Sequence, residues 1–152
     1  MFTVLYLCRK QNLKTMHIFD HTLLKILEVL ISLFAGVLFL QSGFDKVFDF
    51  KGNKDYIQSV FAKTFLNNVS GILFILITIL EILAGIFAFF GGIFYFIEGQ
   101  ADFAILGLEL SLVSILCLFT GQRIAKDYGG AASLVGYFLL LAFGLYLFAL
   151  VG

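Results

Sequence analysis

One apolar run constrains this chain more than any other feature of its sequence. The run extends from Gly71 to Gly91 and contains a single ionisable side chain, Glu81. A helix of that length, at 1.5 Å per residue, crosses a hydrocarbon core about 30 Å thick. An ionisable group at mid-depth costs roughly 2.5 kcal/mol or more unless it is paired or protonated. The run therefore predicts a membrane-spanning helix in which Glu81 has a partner, and Glu81 is the leading site candidate.

The composition extends this interpretation to the whole chain. Hydrophobic residues make up 61% of the 152 residues and charged residues 13%, and the mean hydropathy is +1.05. These values lie outside the usual range of soluble domains. The formal net charge of zero gives no indication of a nucleic-acid partner. The two cysteines, Cys8 and Cys117, lack a Cys-x-x-Cys spacing and are expected to be unpaired thiols.

Four apolar segments predict four spans. They cover residues 24–47, 71–97, 103–122 and 131–151. Because backbone polar groups in lipid must be satisfied internally, and because these segments are too long and too uniformly apolar for barrel strands, we expect helices. The sequence thus predicts an all-α integral membrane four-helix bundle as a single domain over residues 21–152. Residues 1–20 are predicted to form a disordered tail, in which Met16 offers an alternative start.

The longest connection, from Asp49 to Ser70, has an amphipathic pattern. Apolar side chains recur near helical spacing among polar ones: Tyr56, Val60, Phe61 and Phe65 against Lys54, Asp55, Gln58 and Lys63. This pattern predicts a helix lying flat at the membrane interface, with Asn53 as its N-cap. An extended loop is the alternative.

Small and polar residues align on one face of each span. In chain order, these faces are Ser32, Ala35, Ser42 and Lys46; Gly71, Thr78, Glu81, Gly85, Ala88 and Gly92; Gly107, Ser111, Ser114 and Gly121; and Gly136 and Gly144. Such faces favour close helix packing over a ligand groove. Any face left outside the bundle leaves a homodimer open.

The topology gathers polar residues on one membrane side, where spans one and three end and spans two and four begin. The predicted cluster contains Gln41, Ser42, Asp45, Lys46, Glu81, Gln122, Arg123, Lys126, Asp127 and Tyr128. Since helical side chains lean toward the N-terminus, Lys46 leans into the membrane and Glu81 leans toward the same surface. Either Lys46 or Arg123 is expected to pair with Glu81. A structural role for this pairing is favoured over a functional one. Glu81, Lys46 and Arg123 are candidates for a catalytic role, but no catalytic residue is assigned.

The opposite membrane side is acidic. It carries Glu28, Glu98, Asp102 and Glu109 near the helix ends. We expect these carboxyl groups to reach water. Glu109 is the deepest, about 10 Å past the start of its span, and lies opposite the Gly-Ser face. It is the second-rank candidate. The orientation of the termini is not fixed, because the Lys and Arg residues divide almost evenly between the two sides.

Three motifs resemble the DoxX family of small bacterial membrane proteins. The first is Ser42-Gly43-Phe44-Asp45-Lys46, which follows Gly36 to Phe39. The second is Glu81 followed by Ala84-Gly85 and Gly91-Gly92, and the third is the segment from Gly121 to Ala131. The resemblance covers about 130 residues and implies a similar four-span bundle in the bacterial cytoplasmic membrane. It also implies association with thiosulfate:quinone oxidoreductase or with redox-stress membrane complexes.

The chain provides no evident electron carrier of its own. Its two histidines, His17 and His21, lie in the N-terminal tail, and no cluster, metal or nucleotide motif is present in the sequence. The first hypothesis is therefore a small subunit or scaffold of a membrane complex, related to redox chemistry. The second is a quinone-linked oxidoreductase component that uses Glu81 with Lys46 or Arg123. The third is a small transporter. The bilayer, a membrane or redox protein and a second copy are the expected partners.

Overall fold

The computed structural model describes the backbone of residues 2–151 and the side chains of residues 22–150. Five helices account for this part of the chain: α1 (Phe2–Phe48), α2 (Phe50–Phe61), α3 (Ser70–Glu98), α4 (Asp102–Ile124) and α5 (Tyr128–Val151). Four segments are long and apolar enough to cross a membrane: Thr22–Phe48, Ser70–Glu98, Asp102–Ile124 and Tyr128–Leu150. The predicted all-α membrane bundle is confirmed, and apart from the start of the first span, where the described side chains begin, each span boundary lies within three residues of its predicted position.

The N-terminal tail is partly outside this description. The backbone of α1 begins at Phe2, but the side chains of residues 1–21 lie outside the described part of the chain. The separation of the tail from the bundle, and any role of His17, His21 or Cys8, therefore stay predictions.

Apolar side chains cover the outside of the bundle as well as its inside. Leu30 on α1, Leu76 on α3 and Leu139 on α5 are each more than half exposed. In water such a surface would be an extended hydrophobic patch, whereas hydrocarbon solvates it without cost. The distribution of apolar side chains therefore fits a protein that spans a bilayer.

The order of helix packing follows from the small residues. Helix α1 packs mainly on α3, α3 on α4 and α4 on α5, and a smaller contact between α1 and α5 closes the bundle. Ala35, Ala84, Ala88 and Ala104 are fully buried in these contacts. Because lipid offers little hydrophobic driving force between helices, this close packing is the main source of attraction between the spans.

Gly136 differs from the other residues assigned to helix seams. It lies on an exposed part of α5, and no atom lies within 4 Å of the place a Cβ would occupy. Gly144, eight residues further along α5, packs on Ile31 of α1. The predicted seam on α5 is therefore wrong at Gly136 and correct at Gly144.

The α3–α4 connection is short and sharply turned. Gly99 caps α3 in the left-handed conformation, with φ 79°, and its amide donates to the Tyr95 carbonyl. Glycine adopts this conformation without the steric cost that a Cβ brings. Helix α4 begins at Asp102, so the turn places α3 and α4 side by side in opposite directions.

Helix α2 confirms the predicted interfacial helix but not its cap. The N-cap is Asp49, whose Oδ1 accepts a hydrogen bond of 3.1 Å from the Gly52 amide. Asn53 instead donates its side-chain amide to the carbonyls of Asp45 and Asp49. The cap comes earlier than predicted because a single residue, Asp49, separates the end of α1 from the start of α2.

The aromatic residues around α2 face in two directions. Phe61 is buried, and Phe50 packs edge-on against Phe74 of α3 at 5.3 Å between ring centroids. Tyr56 and Phe65 point away from the bundle, with 64% and 79% of their surface exposed. Helix α2 therefore attaches to α3 through Phe50, and the Phe61 ring lies near Gly121 of α4. The other two rings are placed to enter the interfacial region of the bilayer.

Replacing Asp49 by alanine should loosen the start of α2. The Gly52 amide would lose its acceptor, at a cost of about 1 kcal/mol, which corresponds to roughly five-fold faster exchange of that amide. Hydrogen-exchange mass spectrometry of the peptide around Gly52 measures this. Asp55→Ala, at an exposed position inside the same helix, is the matched control, and equal acceleration in both variants would contradict the assignment of the cap.

Candidate functional site

The candidate site lies in the seam between α1 and α3, where the two backbones come close together. Gly85 of α3 faces Leu40 of α1, and a Cβ added at Gly85 would lie 2.7 Å from the Leu40 amide nitrogen. Gly43 of α1 likewise faces Ile82 of α3. Only glycine leaves room for this approach, which fixes the register of the two helices. In that register, the end of α1 lies beside the middle of α3.

An ion pair occupies this place. Lys46 Nζ lies 2.8 Å from Glu81 Oε2. The Glu81 side chain is fully buried, whereas Lys46 keeps 18% of its side-chain surface exposed. Lys46 Nζ also donates hydrogen bonds to Ser42 Oγ at 2.7 Å and to the Ser42 carbonyl at 3.3 Å. Of the two predicted partners for Glu81, the structure brings Lys46 to it.

The environment of Glu81 is incompletely satisfied. The contact between Nζ and Oε2 is close but lies off the hydrogen-bonding direction, and Glu81 Oε1 is buried without a hydrogen-bond partner among the described residues. A buried carboxylate depends on the charge beside it, because removal of that charge leaves its desolvation uncompensated. The pair therefore couples α1 to α3 and leaves one acceptor oxygen available inside the seam.

The rest of the predicted polar cluster does not converge on Glu81. Gln41, Asp45, Arg123 and Asp127 are exposed, and Gln122 Oε1 is buried without a described partner. The predicted ten-residue cluster therefore divides into an inner part, formed by Ser42, Lys46 and Glu81, and an outer part at the α4–α5 connection, while Gln41 and Asp45 lie exposed on α1.

The outer part has its own contacts. The Arg123 guanidinium lies over the Tyr128 ring, 4.7 Å from its centroid, so the alternative pairing of Arg123 with Glu81 is not formed. Asp127 Oδ1 accepts a 2.9 Å hydrogen bond from the Gly130 amide near the start of α5. These contacts order a turn in which Lys126 has a φ of 63°, and they serve local structure.

Glu28 is a buried carboxyl group that sequence reasoning missed. The expectation that it reaches water is wrong, because Glu28 is fully buried at the other end of the α1–α3 seam. The Tyr95 hydroxyl donates a 2.6 Å hydrogen bond to Glu28 Oε2, and Glu28 Oε1 has no described partner. Its spacing gave a signal, since Glu28 lies four residues before Ser32 on the same face of α1.

Tyr95 is held in place by its neighbours. Its ring packs on Phe148 of α5 at 5.1 Å between centroids, and Lys25 Nζ lies 5.2 Å from the ring centroid. Lys25 also donates a 3.4 Å hydrogen bond to the Phe96 carbonyl. The hydroxyl is thus directed at Glu28 by contacts from two other spans.

Replacing Tyr95 by phenylalanine should destabilise the bundle. The change keeps the ring but leaves Glu28 Oε2 without its donor, which costs about 1–3 kcal/mol. Unfolding in detergent micelles, followed by circular dichroism, measures the loss. Tyr146→Phe, at a position with 59% exposure, is the control and should change the free energy of unfolding by less than about 0.5 kcal/mol. Equal losses would show that the Tyr95 hydroxyl adds nothing.

The α1–α3 seam is tightly packed between Glu28 at one end and the Lys46–Glu81 pair at the other. Glu28 and Lys46 are 18 residues apart on α1, about 27 Å along the helix axis. The Ser32 hydroxyl, in this interval, donates to the Ala88 carbonyl at 2.7 Å, and Ala35 and Ala84 are fully buried. Among the described residues, no chain of polar side chains connects one carboxyl group to the other.

A groove on the outside of the bundle does not include the ion pair. It has a volume of about 240 Å³ and is lined by Ile86, Phe87, Phe90, Gly91, Phe94 and Phe103. At 100° per residue, Ile86, Phe90 and Phe94 lie within about 40° of the point on α3 opposite Glu81. The groove is entirely apolar and opens where lipid chains would contact it.

The described residues contain no cluster of metal ligands and no paired cysteines. No three His, Cys, Asp or Glu side chains in that part of the chain lie together in a way that could hold a metal ion. Cys117 is an exposed, unpaired thiol on α4.

The fold and the site together define a class of protein: a small multi-pass membrane bundle with a charged pair enclosed between two spans. Comparisons of the chain with protein families, curated proteins and solved structures found no match.

Proposed function

We propose that this chain is a small DoxX-like subunit or scaffold of a membrane complex, related to redox chemistry, in the bacterial cytoplasmic membrane. One observation carries this proposal. Within the described residues, the two most deeply placed charges of the candidate site pair with each other, with Lys46 Nζ 2.8 Å from Glu81 Oε2. That contact joins α1 to α3 and gives the bundle a fixed outer surface, which is what a scaffold presents to a partner.

The close packing of the seam supports a structural role for the pair. A transport path needs alternating polar contacts or interrupted helices. Here the Ser32 hydroxyl donates to the Ala88 carbonyl across the α1–α3 seam, and the Ser111 hydroxyl donates to the Gly107 carbonyl within α4. Ser42 Oγ accepts from Lys46. These hydroxyl groups are therefore engaged by the protein itself and are not free to bind a moving substrate.

A quinone-linked role is the second candidate, favoured by the unpartnered Glu81 Oε1. Since Glu81 is fully buried, this candidate requires α1 and α3 to part at the pair; a hydroquinone hydroxyl would then donate to this oxygen, and Lys46 would balance the carboxylate charge. Oxidation of a hydroquinone releases two electrons and two protons, so another subunit would have to accept the electrons. In this candidate too, the chain acts as part of a complex.

Gentle purification from the natural membrane tests both candidates. Mass spectrometry of the intact preparation would identify the proteins, lipids and quinones that accompany the chain. We expect a stoichiometric membrane protein with redox cofactors. A chain that is repeatedly isolated alone, with lipid only, would contradict the subunit proposal, and bound quinone that is lost in a Glu81→Gln variant would favour the second candidate.

A further inference from the structure

Glu109 lies close to the middle of the membrane. Gly91 of α3 packs on Ala104 of α4, and Gly107 of α4 packs on Ala88. This antiparallel register places Glu109 level with Ile86, two residues from the midpoint of α3 (Ser70–Glu98). The midpoint of α4 itself lies four residues from Glu109, which is about 6 Å along the axis. Helix α3 extends past the start of α4, so the register places this carboxyl group deeper than its distance from Asp102 suggests.

The side chain of Glu109 faces outward. It is exposed, whereas its neighbours Gly107, Leu108 and Ser111 are buried in the bundle. No described side chain forms a hydrogen bond or an ion pair with it. A carboxyl group at this depth meets hydrocarbon unless another molecule covers it, and ionisable groups in such positions are expensive. Glutamate is too short to reach a headgroup region that begins about two helical turns away.

The surface around Glu109 has the spacing of a helix-packing seam. The exposed residues of this face recur at alternating intervals of three and four: Leu106, Glu109, Val113, Leu116 and Thr120. Such a spacing keeps one stripe in contact with a neighbouring helix over several turns. Every outward face of a helix shows this repeat, so the charged residue within it, and not the repeat, distinguishes this face. A single polar residue within a stripe of this kind sets the register and the identity of the partner.

A second copy of the chain does not supply the missing charge. Two copies inserted in the same orientation meet at equal depths, so a two-fold contact on this face would place Glu109 against Glu109. Lys46 is the described cation deepest in a span, and it is paired with Glu81. Arg123 is at the end of α4 and lies over Tyr128. Charge complementarity therefore requires a different protein.

We propose that the outer face of α4 centred on Glu109 binds a transmembrane helix of another protein that carries a lysine or arginine at mid-membrane. This inference rests on the proposed subunit role and names its contact surface. Glu109 would form an ion pair with the partner's cation, while Leu106, Val113 and Leu116 pack beside it. The pair would be enclosed between two helices and shielded from lipid, as Lys46 and Glu81 are.

Photocrosslinking in the natural membrane tests the inference. A photoreactive amino acid is placed at Val113 in the α4 face, or at Leu139 on the exposed face of α5 as the control position. We expect Val113 to crosslink to one transmembrane segment that contains a lysine or arginine, and Leu139 not to. Glu109→Leu should lower the crosslink yield roughly ten-fold, because interhelical polar contacts in membranes reach about this strength.

Charge exchange makes the test specific. Glu109→Lys combined with replacement of the partner's cation by glutamate should restore the yield, whereas each single change should not. Because Glu109 is exposed, the Leu variant should unfold like the unaltered protein, which circular dichroism checks. Crosslinks to lipid alone, to a second copy, or at a yield independent of Glu109 would overturn the inference. A complex that co-purifies without any α4 crosslink would overturn the inference and leave the subunit role standing; absence of any complex would overturn both.

Discussion

Lys46→Met should lower the free energy of unfolding by about 3–5 kcal/mol. The change removes the cation 2.8 Å from Glu81 Oε2 and leaves a fully buried carboxylate without compensation. Methionine keeps most of the packing volume of the lysine stem, so the lost charge dominates the effect. Unfolding by a denaturing detergent, monitored by circular dichroism, measures the loss. Lys51→Met, at an exposed position of α2, should change stability by less than about 0.5 kcal/mol.

A double replacement separates charge from packing. In Lys46→Met combined with Glu81→Leu, both charges are gone, and apolar replacements of buried ion pairs are commonly neutral or stabilising. We therefore expect the double variant to recover most of the stability that the single variant loses. If it remained as unstable as Lys46→Met alone, the loss would come from packing or from the hydrogen bonds to Ser42. The double variant also compares the two proposed functions, since a scaffold should still assemble and a quinone-linked component should lose turnover.

Gly107→Val should be the most damaging change between α3 and α4. A Cβ at Gly107 would overlap the backbone of Ala88, which no change of side-chain rotamer can relieve. Either the helices separate or the register shifts, and we expect a loss of about 3 kcal/mol or more, at the upper end of overpacking effects. The same unfolding measurement applies. The bundle should also open more readily at lower detergent concentrations than the unaltered protein.

Gly136→Val is the matched control for Gly107→Val. Both changes replace a helical glycine by valine, so the difference in helix propensity is the same. No atom lies within 4 Å of a Cβ at Gly136, and the variant should remain within about 0.5 kcal/mol of the unaltered protein. Similar losses in the two variants would contradict the close approach of α3 and α4.

The sequence predicts how deep a residue lies in the membrane better than it predicts which neighbouring helix its side chain faces. Hydropathy locates all four spans, because hydrocarbon selects apolar residues over a set length. The lean of helical side chains toward the N-terminus also predicts that Lys46 and Glu81 approach each other. The sequence could not choose between Lys46 and Arg123, because that choice depends on how α4 is rotated and on the turn that places Arg123 over Tyr128.

Glu28 illustrates the same limit. It was expected to reach water because it is near a span end, but it faces α3 and is fully buried, with the Tyr95 hydroxyl bonded to it. What the sequence could not provide was the rotation of α1 that turns Glu28 toward α3.

The position of the ion pair in the chain has a consequence for biosynthesis. Lys46 is made 35 residues before Glu81, so at 5–20 residues per second the ribosome needs roughly 2–7 s to supply the second charge. Until α3 enters the bilayer beside α1, the Lys46 ammonium group near the end of α1 lacks its counter-charge. When α3 follows, it carries its own buried carboxyl group and finds its counter-charge on a helix that arrived earlier. The order of synthesis therefore makes α1 the docking template for α3 at the insertion machinery.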